Sequence, residues 1–254
     1  LTKRKAPNFK KISGMKLKEV YKSSPFGVVS SFLIGISHSA VFSLIAVYAT
    51  SMNFSILEVS IVTFLFAISG AISQWPIGKL SDVLDRRIVI IYTTFGAALF
   101  CFLAIISSGQ MYMPAGLATS KIFFYICIMC FSFCSLPMFA LIFAHTNDFI
   151  PKEKFVAAGA GLQFVFGLGA ICGPFMCSLF MEFLGENGFF IFLIIFHSFI
   201  GLFGIYRMQI RESGDNPDSQ FAPMPQTITP AGIELNPSTE PIDEPNNLNE
   251  FKKI

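Results

Sequence analysis

Charge is scarce in this sequence. Only 13% of its 254 residues are Asp, Glu, Lys or Arg, and none stands at the centre of any long apolar stretch. A water-soluble domain carries about 25% charged residues, so that class is excluded. Missing as well are an HExxH string, a nucleophile–base pair and a catalytic pair of carboxylates, so nothing supports an enzyme. No stretch shows the alternation of polarity over about ten residues that barrel strands require. The opening residues lack the charged start, short apolar core and small-residue cleavage site of a secretory signal. The net charge of +2 is no sign of nucleic-acid binding, because the basic residues form no groove-lining stripe, and no nucleic-acid partner is expected.

Long apolar runs fill most of the chain instead. They cover residues 26–50, 56–78, 88–108, 122–146, 155–183 and 188–208, and hydrophobic residues, 31 phenylalanines among them, make up 53% of the whole. Each run reaches the roughly 20 residues with which a helix crosses about 30 Å of hydrocarbon. In lipid a helix satisfies its own backbone polar groups, and runs such as Phe189–Tyr206 are apolar on every face. The expected fold is an all-α membrane protein, a bundle of six transmembrane helices embedded in the lipid bilayer.

The 18 Lys and Arg orient it. Eight precede the first run, three (Lys79, Arg86, Arg87) lie between the second and third, two (Lys152, Lys154) between the fourth and fifth, and four at or beyond the end of the sixth. Only Lys121 falls on the other side. The positive-inside bias puts both termini in the cytoplasm. Three segments follow. Residues 1–25 are a basic cytoplasmic linker, with Lys16–Tyr21 either solvated or a short helix on the inner leaflet. Residues 26–209 are the six-helix region. Residues 210–254, with seven of the 14 prolines and eight of the 16 acidic residues, are expected to be a disordered cytoplasmic tail.

Six cysteines all fall inside apolar runs and read as small hydrophobes. Cys127, Cys130 and Cys134 share a helical face, but no His or second Cys pair accompanies them, and neither a metal nor a cofactor is expected.

The most specific string is SQWPIGKLSDVLDRR, residues 73–87. Gly78 permits a tight turn and close approach to a neighbouring helix, while Asp82 can accept from helix N-terminal N–H groups or pair with Arg86 or Arg87. Gly78, Leu80, Asp82, Arg86 and Arg87, placed between the second and third helices on the inner side, resemble the signature loop of the major facilitator superfamily. Asp85 stands where that family often has a second glycine. The resemblance implies that the loop is a conformational latch joining the inner ends of two halves of a carrier; without it, the same charges would only fix topology.

The stretches SPFGVVSSFLIGISHSAVFSLIAVYA, FALIFAHTNDFIPKEKFVAAGAGLQFVFGLGAICGP and FLIIFHSFIGLFGIYRM are also similar to the second six-helix half of bacterial members of that superfamily, many of unassigned substrate. The similarity extends over residues 15–210. It implies a secondary active transporter of a small solute, working by alternating access in the bacterial plasma membrane and possessing an amino-terminal six-helix half outside this chain. A coupling acid is then expected in that other half. A six-helix channel or scaffold acting as a homo-oligomer is the competing class.

Site candidates inside the bundle are few. His38, on a helical face shared with Gly35, Ser37, Ser39 and Ser43, is either a pathway residue or a packed one. His197, on the last helix, reads as packed and neutral. His145, Asn147 and Asp148, at the inner end of the fourth run, form a gate, a proton relay or a helix cap. Tyr48 and Gln163 are further pathway candidates on otherwise apolar helices. Pro137 and Pro174 each remove a backbone hydrogen bond, and Gly161, Gly167, Gly169 and Gly173 suit either close helix packing or a hinge. The Gly169–Pro174 stretch resembles a glycine–proline motif of the family's gating helices, with Cys177 and Ser178 in place of its last glycines.

Overall fold

The computed structural model describes residues 14–107 and 121–214 together with Phe221 and Pro223. Expectations for residues 1–13, for the loop at 108–120 and for most of the tail lie outside these residues. Among the described residues eight α-helices run in the order α1 (Leu17–Ser23), α2 (Pro25–Ser51), α3 (Ile56–Val83), α4 (Arg86–Ser107), α5 (Lys121–Ser135), α6 (Met138–Asn147), α7 (Phe155–Leu184) and α8 (Asn187–Ile210), with one 3₁₀ turn at Lys152–Lys154. Six of the resulting spans are long and apolar enough to cross a membrane, α5 and α6 together forming the fourth. Long apolar side chains, Phe64, Ile72, Phe164, Ile171 and Phe199 among them, cover the outside of the bundle, as lipid contact requires.

Local chemistry sets the helix ends. The Ser24 hydroxyl accepts from Gly27 N–H at 3.2 Å, and Pro25, whose missing N–H is unneeded at a first position, opens α2. A reciprocal box of Ser55 and Glu58 starts α3. Asp85 starts α4, its carboxylate accepting from Arg87 N–H at 2.9 Å. Two residues, Leu84 and Asp85, therefore make up the whole connection between α3 and α4. At about 1.5 Å per residue, α3 is roughly 42 Å long, longer than the hydrocarbon, and this carries Asp82 to its rim.

The fourth apolar run is not one helix. It breaks at Leu136–Pro137, where the proline ring displaces the preceding turn, and helix resumes as Leu141 N–H bonds the Pro137 carbonyl at 3.0 Å. Pro174 does not break α7, nor does Pro76 break α3.

The most extensive helix pairing is α2 against α7, followed by α4 against α8. Small residues make the first seam. A Cβ on Gly35 would run into the Phe166 carbonyl, one on Gly169 into the Phe32 carbonyl, and one on Gly173 into the Ile36 carbonyl and the Ser39 hydroxyl. Backbones therefore touch, which is how helices associate where lipid is as apolar as leucine. Ser31 adds a bond to the Leu162 carbonyl at 2.8 Å. In the α4–α8 seam Gly201 receives Phe95 and Thr94, and Gly204 receives Ile91. Helix α5 is tied to α3 by Ser69 donating to the Met129 carbonyl at 2.6 Å and by Ser132 donating to the Phe66 carbonyl. Short α1 lies across one end of the bundle, with Val20 buried against Phe143, Phe155 and Leu162.

Candidate functional site

Two polar constellations stand out. The first occupies the end of the bundle where α3 meets α4, α6 ends and α8 ends. Arg86, only 8% exposed, is held on one side by Asp82, Nη2 to Oδ1 at 2.8 Å, and on the other by Asp148, which it bonds through Nη1; the same Nη1 donates to the Ala144 carbonyl at 3.1 Å. One guanidinium thus joins the α3–α4 connection to the end of α6. A buried cation at this depth persists only because two carboxylates and a carbonyl replace its water. The two carboxylates differ in setting, with Asp148 11% exposed and Asp82 36%.

Arg87 is bound differently. Its Nη2 meets Asp85 Oδ2 at 2.6 Å, its Nε meets both oxygens at 3.1 and 3.2 Å, and its Nη1 donates to the Arg211 carbonyl at 2.5 Å. Desolvation pushes the Asp85 carboxyl upward, but the side-chain bond, the backbone N–H and the charge of Arg87 outweigh it and hold the group below its ordinary value. Capping of a helix start in this loop therefore falls to Asp85. Asp82 lies inside α3 and accepts instead from Arg86 and, at 2.9 Å, from Phe221 N–H. The Phe221 ring rests on Gly78, where a Cβ would run into it. Leu80 is about half exposed.

His145 is buried between the rings of Phe26 and Phe149, with centroids 5.2 and 5.1 Å away, and its Nδ1 stands 4.0 Å from Asp148 Oδ2, beyond hydrogen-bond reach. Asp148 follows α6, and its backbone N–H closes the last turn on the Ala144 carbonyl. Asn147 is buried as the last residue of that helix. Of the sequence candidates, Asp82, Arg86, Arg87, His145 and Asp148 are brought together here.

The second constellation lies at membrane depth beside the α5–α6 break. His197 Nδ1 is 2.8 Å from the Leu193 carbonyl, so it carries the proton; Nε2 then accepts from the Ser135 hydroxyl at 2.8 Å. His38 Nε2 lies 3.1 Å from the Ser135 carbonyl and 3.2 Å from its hydroxyl oxygen, which makes it the donor to both. Ser37 Oγ completes the group, 3.3 Å from His197 Nδ1. With both rings neutral every hydrogen in this chain points the same way. A second proton on His197 would set two N–H groups against one serine oxygen. Both rings are almost completely buried, as are Ser37 and Ser135.

The remaining candidates fall elsewhere. Ser39 bonds the Ile36 carbonyl at 3.1 Å and packs beside Gly173 in the α2–α7 seam. Tyr48 is buried at the opposite end, stacked on Phe189 and Phe124 with Phe190 edge-on. Gln163 sits half-buried on α7. At that end Lys121 meets Glu58 at 2.5 Å, joining α5 to α3. No group of three or more His, Cys, Asp or Glu among the described residues is arranged to hold a metal ion. Sequence reasoning missed Ser135, Arg211 and Phe221. Ser135 carried a signal, lying two residues before Pro137 in an otherwise apolar run.

A six-span helical bundle with glycine seams and charge confined to its ends is a polytopic membrane protein. The sequence profile of the Major Facilitator Superfamily matches residues 27–241, and the chain belongs to that family. It is 23% identical over 201 residues to an uncharacterized MFS-type transporter of Yersinia enterocolitica, covering 79% of this chain and 47% of the relative. It is 26% identical over 183 residues to the uncharacterized MFS-type transporter YfkF of Bacillus subtilis strain 168, covering 69% of this chain and 43% of the relative. The chain thus spans about half the length of the curated relatives it matches. No solved structure matches it.

Proposed function

We propose that this chain is the carboxyl-terminal six-helix half of a secondary transporter for a small solute, which works by alternating access with a second six-helix bundle. The observation that carries this reading is Arg86, buried and shared between Asp82 and Asp148 inside a loop of the family's signature composition. A charge set so deep at one end gives the bundle a discrete closed arrangement, which a rocking carrier requires. Asp82, the more exposed carboxylate, is the member placed to meet the partner half. The glycine seams of α2–α7 and α4–α8 keep most of the bundle rigid, and the break at Leu136–Pro137 supplies the bend. In this conformation His38 is sealed, and opening at the break exposes it to the pathway. The basic end faces the cytoplasm of a bacterial inner membrane, as the arginine and lysine bias requires.

Cysteine labelling of the full-length protein tests this without knowledge of the substrate. In a background with the six native cysteines replaced by serine, a His38→Cys variant in intact cells and in inverted vesicles should react with a membrane-impermeant maleimide from both sides. Reaction from neither side or from one side alone, or assembly of this chain as an active homo-oligomer without a second bundle, overturns the reading.

A further inference from the structure

A cavity opens beside the latch, at the basic end between α2 and α8. It is shallow and open on one side, and Arg87, Arg207 and Arg211 line it together with Ser24, Pro25 and Glu212. Three guanidinium groups, one from α4 and two from the end of α8, converge there on the first turn of α2, the positive end of a 27-residue helix. Asp85 neutralises Arg87. Among the described residues no carboxylate lies within 4.0 Å of Arg207 or Arg211. Arg211 donates to the Ser23 carbonyl at 2.5 Å and stacks on Phe149, 4.0 Å from its centroid; both contacts fix its position without cancelling its charge. Burial and the positive charges of Arg207 and Arg87 push the Arg211 guanidinium below its ordinary value, so the cluster is electrostatically frustrated. Glu212, exposed on the rim, is the single negative group of the lining.

We propose that the arginines at the open mouth of this cavity bind a phosphate group, that of an anionic phospholipid headgroup in the leaflet facing the basic end. Planar guanidinium forks match a phosphate's oxygens, and the positive end of the α2 dipole adds to their field. The depth selects lipid over free phosphate. Arg207 sits in the last turn of the final membrane span, where headgroups lie. Next to the cavity, α1 exposes Leu17 and Tyr21 beside Lys18 and Lys22, the pattern of a helix lying on an anionic surface. The site lies within this one bundle and needs neither transport nor a partner half.

Native mass spectrometry of the full-length protein, titrated in detergent with phosphatidylglycerol, phosphatidylcholine or inorganic phosphate, is the test. Phosphatidylglycerol should bind with higher affinity than phosphatidylcholine. The double variant Arg207→Gln/Arg211→Gln should weaken it about 25-fold, about fivefold for each charge removed near the membrane surface. Glu212→Gln should strengthen it about fivefold, a gain that a folding defect cannot produce. Unchanged affinity in a double variant whose lipid-free melting temperature is intact overturns the proposal, as does weaker binding by Glu212→Gln. Should the double variant fail to fold, Glu212→Gln alone decides. If inorganic phosphate displaces phosphatidylglycerol at equal concentration, the site is one for a free anion and the lipid assignment falls.

Discussion

Removing Asp148 should cost more than removing Asp82, although the signature loop contains only the second. Both carboxylates contact Arg86, but Asp148 is 11% exposed and Asp82 36%. Breaking a buried ion pair by deleting one partner costs about 3–5 kcal/mol, because the survivor is left charged and dry. In Asp148→Ala the survivor is Arg86, which keeps Asp82 at 2.8 Å and the Ala144 carbonyl at 3.1 Å, so the loss falls to about 2–3 kcal/mol. Asp82→Ala leaves the buried pair intact and removes a screened contact, for about 1 kcal/mol or less. Arg86→Ala takes the shared cation from both carboxylates and should be the most costly single change, about 3–5 kcal/mol. The double variant Arg86→Met/Asp148→Leu, which removes both charges and fills the space, should return to within about 1 kcal/mol of the parent. Equilibrium unfolding of the full-length protein in mixed micelles measures all four. The reasoning fails if Asp82→Ala is the more damaging single change, or if the apolar double variant is no better than Arg86→Ala.

Ser135→Ala should cost about 1–3 kcal/mol, because two buried histidines lose one hydroxyl, and the loss should appear as a lowered unfolding midpoint at neutral pH. Along α7, Gly169→Ala should destabilise by about 1–3 kcal/mol, since its Cβ meets the α2 backbone. Gly167→Ala, with no atom within 4 Å of its Cβ, should instead stabilise by up to about 1 kcal/mol, and a shared sign in the two would refute the seam. Arg87 holds Asp85 below its ordinary 3.8, so its folded form binds fewer protons than its unfolded form. That contribution is fully present above about pH 4 and lost as pH falls through the lower folded value, and Asp85→Asn should flatten the acid limb of a stability–pH profile.

The legible part of the fold is the part governed by solvent. Six spans follow from apolar length, and Pro137 marks the place where the fourth divides, because a missing N–H and a ring clash act locally. Gly169 and Gly173, four apart, show a face on which another helix rests. Which helix rests there is not written in α7 itself. The apolar residues of α2 and α3 are spread around all faces, so no stripe identifies the inward side as it does in a soluble bundle. For the same reason Asp148 could not be named as the partner of Arg86 across 62 positions of chain, nor Ser135 as the bridge between His38 and His197. Those pairings depend on α4 lying against α6 and on α2 and α8 meeting beside α5, which is three-dimensional information.

Polar groups in this bundle are divided by kind, and the division follows from energy. Full charges stay at the ends, where Arg86, Arg87 and Arg211 can be paired, stacked or reach water, because an unpaired ion at membrane depth is costly. At mid-depth only neutral groups remain, and they form one directed chain from His38 through Ser135 to His197. That chain binds α2, α5 and α8 together at the point where Pro137 has already interrupted the backbone ladder, so side-chain bonds supply cohesion where main-chain bonds are missing. Rigid glycine seams on either side cannot bend without opening backbone contacts. Motion of the bundle is therefore expected to concentrate at Leu136–Pro137 and to break the Ser135 bonds as it occurs. Pro137→Ala, which permits a continuous α5–α6 helix, should lower the deuterium exchange of amides 136–141 while leaving those of α7 unchanged. Equal protection of both segments in the parent protein would place the bend elsewhere.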